Sequence, residues 1–161
     1  MNLVFAALII SGAAFYNVYI RDRTGGKARV LEIRDADSGK VYGKWPLDEG
    51  GEFSIEFVHS VHQSPVQESF IIEGNLIRPI KARFSSFGAG MQSDLGEGQV
   101  MSRDGDAILV TGFSSTFREL NYIVGTVSDH LLIINDETVS LRELCGKNAH
   151  IVIRTTGGKN K

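Results

Sequence analysis

The chain has 161 residues, of which 42% are hydrophobic and 22% charged, with a net charge of −2 at neutral pH. This suits one domain with its own core, and the charge balance excludes the basic footprint of a nucleic-acid binder. The single cysteine, Cys145, excludes an internal disulfide and reads as a small buried hydrophobe.

The first element is apolar. "LVFAALIISGAAFYNVYI", residues 3–20, carries no charge and as a helix reaches about 27 Å, enough to cross a membrane core. Residues 1–20 are therefore expected to be an apolar helix serving as a signal peptide or a membrane anchor. Small residues from Ser11 to Ala14 follow the short apolar run and suit cleavage. Arg21, Arg23, Lys27 and Arg29 follow the segment and no Lys or Arg precedes it. The positive-inside rule taken alone would therefore keep the next domain in the cytoplasm. Residues 21–27 read as a linker, 28–156 as one domain and 157–161 as a polar tail.

Every stretch of the domain then reads as β. "ARVLEI" (28–33) and "KVYGKWPL" (40–47) flank a turn signal. "EFSIEFVH" (52–59) and "PVQESFII" (65–72) alternate cleanly, and "NLIRPIKARFSSF" (75–87) is longer. Pro79 should place that strand at an edge or a bulge. Strands are also expected at 106–113, 120–127, 130–135, 137–141 and 149–156, with a turn at Asn135–Asp136. "LRELCG" (141–146) is the one helical hint, closed by Gly146. This spacing predicts an all-β fold, an antiparallel β-sandwich or flattened barrel, after the apolar helix.

"EFVHSVHQSPVQES", residues 56–69, is the most marked stretch. Side chains alternate faces along a strand, so Phe53, Ile55, Phe57 and His59 share one face. On the second arm Val66, Glu68, Phe70 and Ile72 do the same. A hairpin looping through residues 62–65 would set His59 opposite Glu68 and Phe57 opposite Phe70. It would pair the one inward histidine with the one inward carboxylate, and a buried carboxylate calls for such a partner. A metal site would draw on His59, His62 and Glu68. However, residues three apart meet on a helix, not on a strand running into a turn. A hydrolytic site at Ser60 lacks a separate orienting carboxylate, and Ser60 points away from His59. A structural or ligand-contacting polar pair is the preferred reading, with no catalytic residue, metal or cofactor expected.

"SSFGAGMQSDLGEG", residues 85–98, holds four glycines, which suits positive φ angles or an anion-binding nest. No helix follows it, so a phosphate loop is not indicated. "DLGEGQ" and "SRDGDA" do not match a calcium loop. This loop and the tip at 60–65 are expected to lie together and face a partner or ligand.

Together, "F-HSVHQSPVQESF", "FSSFGAGM" and "VGTVSDHLLIIND-TVSLRELCG" resemble the bacterial domain-of-unknown-function family numbered eighteen-fifty, over about Leu31 to Arg154. Met91 and Gln92 depart from that pattern, standing where relatives tend to carry a proline. The resemblance implies a small protein with an apolar start, encoded beside TAXI-type TRAP transporters. It further implies an extracytoplasmic accessory role against the charge evidence, the partner being the transporter's membrane subunit or its solute-binding protein. His59, Ser60, His62, Glu68, Gly88, Ala89 and Gly90 are the binding positions that the motifs mark. The alternatives are a small metal-dependent enzyme on His59, His62 and Glu68, and a stand-alone ligand-binding module.

Overall fold

A computed structural model describes residues 29–59, 63–85 and 95–157. The expected N-terminal helix, Ser60, His62 and the Gly88–Gly90 loop lie outside these residues. Within them no helix is long and apolar enough to cross a membrane.

The described chain forms eleven strands and one short helix. The first four strands are β1 (Val30–Asp35), β2 (Val41–Pro46), β3 (Glu52–Val58) and β4 (Pro65–Glu73). Next come β5 (Leu76–Phe84), β6 (Val100–Asp104), β7 (Ala107–Thr111) and β8 (Glu119–Ile123). The last are β9 (His130–Ile134), β10 (Glu137–Ser140), α1 (Leu141–Cys145) and β11 (His150–Thr156). They build two antiparallel sheets, one of four strands in the order β2-β1-β11-β8 and one of seven in the order β10-β9-β3-β4-β5-β7-β6. The all-β expectation holds, as a sandwich of two separate sheets.

The core lies between the sheets, filled from both by alternate residues. Leu31, Ile33, Ile151 and Ile153 come from the small sheet. Phe53, Ile55, Phe70, Ile72, Leu132 and Ile134 come from the large one. Burying each such side chain contributes about 1.5–3 kcal/mol. A second cluster, Val66, Phe84 and Val110, lies further along the large sheet, and Phe57 packs on both. Between Leu31 and Ile33, Glu32 turns to the opposite face, yet only 3% of it is exposed. Arg34, Lys44 and Arg154 close over its carboxylate at 3.0–3.1 Å.

The hairpin of β3 and β4 has a register other than the expected one. Phe53 opposes Phe70, Ile55 opposes Glu68 and Phe57 opposes Val66. His59 pairs with Ser64, its amide donating to Ser64 O at 2.9 Å. The loop therefore closes earlier, with Gln63 at positive φ (49°). A slip of four leaves every inward residue inward, so parity survives and the pairing changes. Phe53 and Phe70 then stack at 5.3 Å. Along the strands, His59 and Glu68 stand four residues apart, about 13 Å.

β5 is an interior strand, and Pro79 sits at its bulge, the second of the two expected placements. β7 pairs only with Lys81–Phe84, so Pro79 lies past the end of that ladder, where its missing N–H is not needed. β6 was not expected, since all five of its residues are exposed and no alternation announces it. The β9–β10 turn falls at Asn135 and Asp136, both with positive φ (50° and 63°), as a two-residue hairpin turn requires.

Candidate functional site

A cleft of about 430 Å³ opens at the loop end of β3. One wall is Phe57, Val58, His59 and Gln63, and the other is Gly125, Thr126, Val127, Ser128 and His130. Ser128 holds the walls together, its hydroxyl donating to Val58 O at 3.1 Å.

His130 opens β9 and inherits the inward parity of Leu132 and Ile134. Its ring stacks on Phe57 at 5.0 Å and meets the edge of Tyr122 at 6.1 Å. The Gly125 amide donates to its Nδ1 at 3.1 Å. That bond fixes the neutral tautomer, with the proton on Nε2. Burial pushes the imidazole below its ordinary pKa; Asp129 opposes the shift and Arg142 adds to it. Gly125 is required by space, because a Cβ there would stand 2.1 Å from Ser128 O.

Asp129 anchors the same loop to α1. Its carboxylate accepts from Ser140 Oγ at 2.5 Å and from the Arg142 amide at 2.9 Å. Ser140 in turn caps the helix by accepting from the Glu143 amide at 3.0 Å. The Nε and Nη2 of Arg142 are buried and have no hydrogen-bond partner among the described residues.

Deeper on the inward face, the Tyr122 hydroxyl donates to Glu68 Oε2 at 2.6 Å. Tyr122 lies on the small sheet and Glu68 on the large one, so the bond crosses the sandwich. Burial, chiefly, and the Glu68 carboxylate raise the phenol's pKa far above its ordinary value. Tyr122 is therefore held as a protonated donor. Burial likewise pushes the Cys145 thiol up to about 11, so it is not a ready nucleophile.

Of the expected site residues, His59 lines the cleft, and Glu68 points inward but meets Tyr122. Ser60, His62, Gly88, Ala89 and Gly90, with the expected contact between the two loops, fall outside the described residues. Sequence reasoning passed over Tyr122 and His130. Parity places both inward, by the rule that singled out His59, but no local motif marks them. Among the described residues no group of three His, Cys, Asp or Glu side chains is placed to hold a metal ion.

Fold and site together define a two-sheet antiparallel sandwich with a small polar-lipped cleft at one end. The chain belongs to the family described as Domain of unknown function (DUF1850), whose model matches residues 53–141, more than half of the chain. That span runs from β3 to the start of α1 and includes both cleft walls. Neither a curated protein nor a solved structure matches the chain.

Proposed function

We propose that the protein is a non-catalytic, extracytoplasmic accessory of a TAXI-type TRAP solute uptake system. Residues 3–20 hold it at the membrane, or direct its export if they are cleaved. Its partner is the transporter's membrane subunit or the associated solute-binding protein. Membership of the family carries the reading, and the uncharged stretch at residues 3–20 agrees with it.

Affinity purification of the tagged full-length chain from membranes of its native host, after mild crosslinking, tests the partnership. Enrichment of a TRAP membrane subunit or solute-binding protein is the expected result, and its absence at native expression overturns the assignment. Alkaline phosphatase fused after Lys161 should be active, whereas a silent phosphatase beside an active cytoplasmic reporter would place the domain inside. A ligand-binding module is the second reading, favoured by the cleft. The hairpin register, which parts Glu68 from His59, gives no support to a metal-dependent enzyme.

A further inference from the structure

We propose that the cleft end of the sandwich is the membrane-distal pole of an anchored domain and docks a soluble partner. The inference rests on the reading above in taking residues 3–20 as an uncleaved anchor. The point of attachment is fixed within the fold. Arg29, 7% exposed, carries the chain into β1. Its carbonyl accepts from the Leu47 amide at 3.0 Å, and its guanidinium donates to Gly157 O at 3.0 Å. Glu49 pairs with that guanidinium at 3.4 Å and also accepts from the Gly74 amide. Both ends of the described domain, Arg29 and Gly157, therefore meet at the Glu73 end of β4. The cleft lies at the other end, because Val58 faces Pro65 and its carbonyl accepts from the Ser128 hydroxyl.

The nine residues of β4, Pro65–Glu73, part the two poles by about 27 Å. The link of residues 21–28 spans at most about 28 Å even when fully taut. Turning the cleft onto the bilayer would use all of that length and the link's conformational freedom with it, whereas an upright or tilted domain uses little. The cleft pole therefore stands clear of lipid, where a soluble protein reaches it more readily than a membrane-embedded one. Of the two partners named above, that is the solute-binding protein. The poles also differ in chemistry. Around Arg29 the turns carry Asp48, Glu49 and Glu73, and Phe117, bridged to Ile77, is the exposed large hydrophobic there. Around the cleft stand Val41, Val58, Ile123 and Val127, half of the exposed large hydrophobics among the described residues. Val41 and Ile123 belong to this end because the β1–β2 turn and the start of β11 close there. The Ala36 amide donates to His150 O, and His150 faces Ile123. Exposed apolar side chains beside loops on a rigid sheet suit contact with another protein.

The test places the full-length chain, with Cys145→Ala, in liposomes of phosphatidylcholine and phosphatidylglycerol, with a bimane label at Asp48→Cys or at Val127→Cys. A nitroxide-bearing lipid headgroup should quench the Asp48→Cys label at least threefold more than the Val127→Cys label. Equal or reversed quenching overturns the proposal, as does a chain that does not stay with the liposomes. Val127 is 87% exposed, so its label should leave the fold intact; should it not, Ile123→Cys, 61% exposed at the same end, replaces it. A photocrosslinker on the distal cysteine, in membranes of the native host, should join the solute-binding protein. A bond to the membrane subunit, to lipid or to nothing overturns the docking. The two readings fail separately. An intact quenching gradient with no TRAP component purified upholds the orientation and fails the partner assignment, whereas a reversed gradient beside an enriched TRAP component fails the orientation alone.

Discussion

Tyr122 and Glu68 stand on opposite sheets and meet at 2.6 Å, the phenol donating to the carboxylate across the interior. Such a bond does more than a contact within one sheet, because it resists separation of the layers. Tyr122→Phe should destabilise the domain by about 1–3 kcal/mol by leaving a half-buried carboxylate without its donor. Glu68→Ala should lose a similar amount. Denaturant melts of both singles and the double should return a coupling of about 0.5–3 kcal/mol. A coupling of zero would mean that the bond contributes nothing in solution.

His130 ties stability to pH. Burial disfavours its charged form, and Arg142 opposes protonation further, against Asp129. Its pKa in the folded state is therefore below the ordinary 6.5. Above about 6.5 both folded and unfolded forms are neutral and the contribution is whole. As pH falls through that value, the unfolded chain takes up the proton first and stability drops, levelling off below the folded pKa. The difference in melting free energy between the parent and His130→Gln, measured from pH 8 to pH 5, should carry this slope. A flat difference would refute it.

Glu32 has the opposite sign. Burial alone would raise its pKa, but Lys44 and Arg154 outweigh burial and lower it. Its contribution is therefore whole above the ordinary glutamate value of about 4.3 and disappears as pH falls through the lower folded pKa. Glu32→Gln should cost about 1–3 kcal/mol at pH 7, since three cations then crowd a neutral group. The gap between variant and parent should close in acid melts below pH 4.

The cap shared by Asp129 and Ser140 links the cleft loop to α1. Ser140→Ala should cost about 1 kcal/mol, the usual loss for an N-cap. Asp129→Ala should cost at least as much and should also shift the amide resonances of Gly125–Ser128. If those resonances stay in place, the loop is held by other contacts.

Much of this fold is legible in the sequence. Alternation and turn residues mark the other ten strands and the helix, and Asn135–Asp136 falls where the chain reverses. β6 escapes because both of its faces meet solvent, so the hydrophobic period that reveals a strand is missing. The hairpin register escapes for a different reason. Matching apolar residues across two strands cannot distinguish slips by an even number, and the loop closure at His59 and Ser64 decides between them. The inward carboxylate at Glu68 could be read; its partner could not, because parity speaks of faces within one sheet and Tyr122 comes from the other. The cleft combines a strand end with a loop more than sixty positions later, a juxtaposition that no local pattern encodes.

The open margin of the large sheet bears on how the protein behaves when concentrated. No described strand pairs with the outer side of β6, and Val100 and Met101 stand exposed along it. Backbone groups left open in this way are a template for another extended chain. Near the far end of the strand Arg103 follows Ser102, and Arg83 pairs with Asp104 at 3.1 Å. Charges on an edge oppose stacking of like molecules only while they are unscreened. Colloidal stability should therefore decline with added salt, and handling at low ionic strength, not cold or dilution alone, is what keeps neighbouring molecules from zipping together along this margin.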